Sequence, residues 1–187
     1  MQRKEFLKSC TMGMCSCIAF SNLLPSSIKA QEQTEEENPE VKKLQGQMEF
    51  VHKRFAKLVD LLNKEMDAEK RSKMFEELGR SCSAEYKDSY IKFENNVQGF
   101  LDEIKGKWVE DIQYDKENQT ILITGMKVDD CFCPLAKKSV TPSDFCECSK
   151  GWQKGVFETI SGKKVEATIV ESALRGGEHC SFKIQIS

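Results

Sequence analysis

Residues 141–186 read TPSDFCECSKGWQKGVFETISGKKVEATIVESALRGGEHCSFKIQI, and within them the hydrophobic period changes from that of a helix to that of a strand. Phe145, Cys148, Trp152, Val156 and Ile160 recur at spacings of three and four, the stripe of a buried helix face. Thr141 offers a capping hydroxyl, Pro142 suits the first helical position and Asp144 follows three residues after the cap. A helix is therefore predicted from Pro142 to about Ile160, with Gly162 ending it. Beyond it, Val165 to Ser172 and Cys180 to Ile186 alternate apolar and polar residues on either side of Gly176-Gly177, which predicts a closing β-hairpin.

Upstream, Trp108, Ile112 and Tyr114 lead into a polar turn at Asp115 to Asn118, and Thr120 to Thr124 returns as an Ile-Leu-Ile strand, an earlier hairpin. Before that the period is helical throughout. Leu44, Met48, Val51, Phe55, Leu58 and Leu62 alternate spacings of four and three. That pattern is also the seam of a coiled coil, but it breaks at Asp67, so it is read as a helix packing on its own domain. Asp67 caps a second helix from Ala68, with Met74, Phe75, Leu78 and Cys82 as its inner face, and Val97, Phe100, Leu101 and Ile104 mark a third. Helices first, then hairpin, loop, helix and hairpin give an α+β fold: N-terminal helices, and an antiparallel sheet from two β-hairpins with a helix between them.

Two segments precede this domain. Residues 1–30 place Arg3, Lys4 and Lys8 before a weakly apolar stretch and end in a small-residue stop at Ala30, the grammar of an export signal. Gln2 to Lys8 resembles the twin-arginine motif, with Lys4 in place of the second arginine; Sec export and acylation at Cys15 or Cys17 are the competing readings. Residues 31–40 hold five glutamates and no basic residue, and read as an acidic linker without structure. The expected destination is the periplasm or cell envelope of a bacterium. Residues 41–187 then form a single cysteine-rich domain with 24 basic and 24 acidic side chains. A neutral body has no field for a phosphate backbone, so nucleic acid is excluded as a partner; the mature chain has no membrane span, and a small apolar molecule is the expected ligand.

Nine cysteines in 187 residues are the compositional outlier. Three leave with the signal, and Cys131, Cys133, Cys146, Cys148 and Cys180 crowd the last third of the chain, with Cys82 apart from them. Their spacing permits three chemistries. Thiolates of Cys131, Cys133, Cys146, Cys148 and Cys180 could close a tetrahedral zinc site, since soft sulfur suits zinc. In an oxidising compartment six cysteines could instead pair as disulfides in fifteen ways. Cys146 at a helix N-terminus could be a reactive thiol of lowered pKa. Trp152 and Phe157 are candidates to line an apolar pocket, and His179 beside Cys180 to ligate metal or carry a proton.

The stretch Phe145 to Trp152, with Phe157-Glu158, Gly162, Val165, Glu171-Ser172 and Arg175 to Phe182, resembles the end of 4-vinyl-reductase-type domains, predicted binders of small molecules or hydrocarbons. That resemblance implies metal ligands at Cys146, Ser172 and Cys180, with Ser172 standing where the family has a cysteine. Cys133-Pro134, Phe145-Cys146-Glu147 and Gly177 to Phe182 also resemble the L-2-amino-thiazoline-4-carboxylate hydrolase family. This implies a hydrolase of a sulfur heterocycle with Cys146 and Cys180 as site residues and Glu147 or His179 moving the proton. The expected function is an exported small-molecule-binding or sensing domain with a cysteine-ligated, zinc-bearing structural site. The alternatives are a cysteine-dependent hydrolase using Cys146, Glu147 and His179, and a disulfide-braced interaction module.

Overall fold

The computed structural model describes residues 38–187; the expected export signal and residues 31–37 of the acidic segment lie outside the described residues. The described chain runs α1 (Pro39–Glu65), α2 (Ala68–Glu85), α3 (Lys87–Tyr90), α4 (Val97–Ile104), β1 (Val109–Asp115), β2 (Thr120–Gly125), α5 (Cys146–Ser161), β3 (Val165–Glu171) and β4 (Ser181–Ile186). Its α+β class is the one the periodicity predicts. No helix among the described residues is long and apolar enough to cross a membrane.

The two hairpins form one antiparallel sheet in the order β1-β2-β4-β3. Strand alternation puts Ile121, Ile184 and Ala167 in one cross-strand row and Ile123, Phe182 and Ile169 in the next. α5 lies over this sheet and is itself covered by α2, so it is buried on two sides. Phe157, Ile160 and Val156 fill the main core with the sheet, Leu101 and Ile104, while Gly151 and Gly155 meet α2. This explains why Gln153 and Lys154 are buried, against their polarity: Lys154 is 8 % exposed and bonds Glu76 of α2 and Glu166 of β3.

The α2–α5 crossing depends on small residues. A methyl on Gly79 would lie 1.8 Å from the Cys148 carbonyl oxygen, and one on Gly151 would lie 1.8 Å from that of Glu76. The inner face of α2 is therefore Phe75, Gly79 and Ser83, whereas Leu78, predicted inside, is 42 % exposed.

α1 departs most from expectation. Asn38 caps it and Pro39 opens it, so the helix begins inside the segment read as linker. The apolar side chains of α1 that pack on the domain are Phe55, Val59 and Leu62, against Phe75, Ala136 and Phe145, with Ala56 buried beside them. Leu44, Met48, Val51 and Leu58, predicted to face the domain's own core, are exposed. The physical reason is length: the helix outruns the body that its second half packs against, and every residue from Pro39 to Val51 is exposed.

A second correction concerns the start of α5. Thr141 does not cap it. Its hydroxyl accepts from the Lys137 N–H instead, Pro142 is extended, and a 3₁₀ turn at Ser143–Phe145 leads into the helix. The Asp144 carboxylate accepts from Asn63 and Arg71, tying this turn to α1 and α2.

Candidate functional site

Three pieces of chain converge beside the connected end of the β3–β4 hairpin. The first is the loop from Met126 to Val140. Asp130 closes it by accepting from the N–H groups of Cys131 and Lys138, and the Ala136 N–H donates to the Cys133 carbonyl. His52 of α1 bonds the Pro134 carbonyl at 2.9 Å, and Gly125 lets Phe132 and the Cys180 carbonyl approach β2 closely. The second piece is the first turn of α5, carrying Cys146, Glu147 and Cys148. The third is the connection from Ser172 to Cys180. It is a 3₁₀ turn at Ala173–Arg175 closed by Gly176 at φ +90°, rather than a tight double-glycine turn.

These pieces enclose a cavity of about 10 Å³, room for one water-sized sphere, lined by Cys131, Cys133, Cys146 and Cys180 with Ser149 and Ser172. Phe145, Ile169, Leu174 and Phe182 supply its apolar wall. Of the five predicted metal ligands, the fold brings four to this cavity. Cys148 is absent from the lining because residues two apart on a helix project to opposite sides. Its backbone meets Gly79 of α2, three residues before Cys82, so Cys148 lies on the α2 side of the helix.

All six cysteines of the described residues are free thiols. Burial pushes Cys131 up to about 11 and Cys148 up to about 12, and also raises Cys82 and Cys146. The expectation of a lowered pKa at Cys146 therefore fails. Cys146 is 6 % exposed, and the Ser172 hydroxyl at 2.7 Å and the Arg175 charge offset the loss of solvent only in part. Neighbouring sulfurs add to burial: Cys180, Cys133 and Cys146 raise Cys131, and Cys133, Cys82, Cys131 and Cys146 raise Cys148.

The groups named for a hydrolase engage separate partners. Glu147 accepts from Ser72 and Arg175 and pairs with Lys150, and these hold it below the usual carboxylate range although burial opposes them. His179 Nδ1 bonds the Gly125 carbonyl at 3.0 Å and lies 3.5 Å from Glu110. Neither Glu147 nor His179 lines the cavity. Trp152 is half-buried, edge-on to Tyr86, and Phe157 is wholly buried, edge-on to Phe100; both stand apart from the cavity lining.

Sequence reasoning missed Asp130, Ser149 and Leu174. Asp130 carries one local signal, its place one residue before a loop cysteine, where a carboxylate can accept neighbouring backbone N–H groups. Among the described residues, no group of three or more His, Cys, Asp and Glu side chains is already arranged to hold a metal ion.

No protein family and no curated protein matches the sequence. Solved structures do resemble the fold. One is a trafficking protein particle complex subunit 3 from Naegleria fowleri covalently bound to palmitic acid, with a TM-score of 0.53 at 12% identity over 76% of this chain and 96% of that one. The phenol-responsive sensory domain of the transcription activator PoxR with phenol gives 0.47 at 14% identity, covering 73% and 74%. A vinyl-4-reductase family protein from Methanocaldococcus jannaschii gives 0.31 at 14% identity, covering 83% and 85%. The last two scores are too low to carry an argument, so what the described domain shares with known structures is the fold of the first.

Proposed function

We propose that the protein is a small-molecule-binding or sensing domain, exported to the cell envelope, whose thiol-lined cavity is braced by a zinc ion. The observation that carries this reading is the convergence of Cys131, Cys133, Cys146 and Cys180 on one cavity of about single-atom size. The donor set is soft and suits zinc, and Ser172 adds an oxygen 2.7 Å from Cys146. Cys131, Cys146 and Cys180 would hold the ion, with Cys133 or Ser172 completing the set once the sulfurs turn inward. A bound divalent cation would keep the thiols ionised, reversing the effect of burial. The apolar wall of Phe145, Ile169, Leu174 and Phe182 would shield the ion from water, and an apolar ligand would have to part that wall to lie beside the thiols. The palmitic acid carried by the Naegleria protein supports the same class.

The test is metal content and free-thiol count on mature protein from its native compartment, with Cys146→Ser alongside. About one zinc per chain, lost in the variant together with stability, is the expected result. Protein without metal, whether its thiols are free or paired, would overturn the zinc-braced reading.

A further inference from the structure

From Pro39 to Val51 the first helix stands clear of the domain, about 20 Å of helix with every residue exposed. An isolated segment of this length is marginal in water, since helix stability in proteins comes mainly from packing an apolar face. This segment has such a face and nothing among the described residues covers it. Val41, Leu44, Met48 and Val51 are 45%, 55%, 41% and 40% exposed. They continue in heptad register into Phe55, Leu58 and Leu62, so Val41, Met48, Phe55 and Leu62 occupy the first core position and Leu44, Val51 and Leu58 the second. Phe55 and Leu62 turn into the domain, which leaves the first two heptads as an open seam.

The flanking residues select the occupant. Glu40, Gln47 and Arg54 form one edge of the seam, seven residues apart, with Gln47 midway between opposite charges. Neither Glu40 nor Arg54 has an ionic partner among the described residues; Arg54 rests over the exposed Phe50 ring. In a parallel pair these positions would face Gln45, His52 and Val59 of the other helix, and Val59 is already fully buried in its own domain. In an antiparallel pair centred near residues 46–47, Glu40 of each copy meets Arg54 of the other, twice by symmetry. The same register stacks Val41 on Val51 and Leu44 on Met48 across the axis. The sequence therefore complements itself in one orientation.

We infer that α1 is a self-association arm, and that two copies of this chain pair antiparallel through residues 40–54, with the Val41, Leu44, Met48 and Val51 seam between them and paired Glu40 and Arg54 at its ends. The contact is symmetric, so it closes at two copies. It is small for a stable interface, which places dissociation at about micromolar concentrations.

Sedimentation equilibrium on the full chain tests this. The parent should show a reversible monomer–dimer equilibrium, and Leu44→Glu combined with Val51→Glu should be monomeric with unchanged circular dichroism per residue outside the arm's contribution. Both substituted side chains are exposed, so the domain remains folded. Arg54→Glu should weaken the dimer about ten-fold by setting like charges together at both ends, and adding Glu40→Arg should restore it. A parent that stays monomeric throughout the micromolar range overturns the proposal. So does a dimer indifferent to the double glutamate variant, or a charge exchange that fails to restore association.

Discussion

Replacing Gly151 by alanine should destabilise this domain, although alanine is ordinarily favoured over glycine inside a helix by about 1 kcal/mol. The added methyl would stand 1.8 Å from the Glu76 carbonyl oxygen and 2.6 Å from its carbon. Both are backbone atoms of α2, so no change of rotamer relieves the clash, and the helices must separate by roughly 1.5 Å to reach ordinary contact. Overpacking costs about 1–3 kcal/mol, and this case belongs at the upper end, because separation also loosens Gly79 from Cys148 and Gly155 from Ser83. After subtracting the helix-propensity gain, the net loss is about 2 kcal/mol. Urea unfolding followed by circular dichroism and tryptophan fluorescence should show a lower midpoint at unchanged slope. Gly46→Ala is the control: nothing lies within 4 Å of its added methyl, so it should be neutral or stabilising by up to about 1 kcal/mol. A Gly151→Ala protein as stable as its parent would refute the close crossing of α2 and α5.

Gly162→Ala should cost about 1 kcal/mol in the same assay, because Gly162 ends α5 at φ +67°. Glu76→Gln should cost about 2 kcal/mol by removing the carboxylate that Lys150 and Lys154 share. Burial opposes ionisation of Glu76 and Glu147, but their lysine and arginine partners outweigh it and hold both below the usual 4.5. Their stabilisation is thus present above about pH 4.5 and lost as pH falls through the lowered values, which thermal melts on acidification should record, less steeply for Glu76→Gln. The thiols act at the other end. Cys131 and Cys148 rise from 9.0 to about 11 and about 12, so the metal-free protein should keep full stability below pH 9 and lose it as pH climbs through those values. Melting points that stay flat across that alkaline range in metal-free protein would show the thiols to be solvated.

The fold was legible where local period and turn chemistry decide it. α2, α4, α5 and both hairpins follow from apolar spacing, Asp67, and the breaks at Asp115 to Asn118 and Gly176-Gly177. The strand order was not legible, because pairing β2 with β4 joins residues about 60 apart and no short-range signal encodes it. The burial of Lys154 and Gln153 was not legible for a related reason: polarity argues for solvent, and only the tertiary structure brings Glu76 and Glu166 to Lys154. The stripe of α1 was read with the right period and the wrong environment. Amphipathicity states that a face wants cover, and the position of the cover is a property of the rest of the chain.

The twin Cys-x-Cys pairs illustrate the same limit at the site. As a sequence they suggest four sulfurs aimed at one ion, with the short link as the objection. The structure resolves the objection by dividing at least one pair. Cys146 turns to Ser172 and the cavity, while Cys148, 200° further round the helix, turns to α2 and Cys82. In the loop, where no helix fixes direction, Cys131 and Cys133 both line the cavity, yet Cys133 also acts on Cys82 and Cys148. Cys133 thus faces the cavity and also influences the thiols beside the α2–α5 crossing. A metal ion or a ligand held by Cys133 and Cys146 would load α5 as well as the loop, because Cys146 opens that helix, and α5 leads to the crossing at Gly79 and Gly151. Stability of that crossing and occupancy of the cavity should therefore be coupled, with Gly151→Ala weakening metal uptake although Gly151 touches no thiol of the cavity.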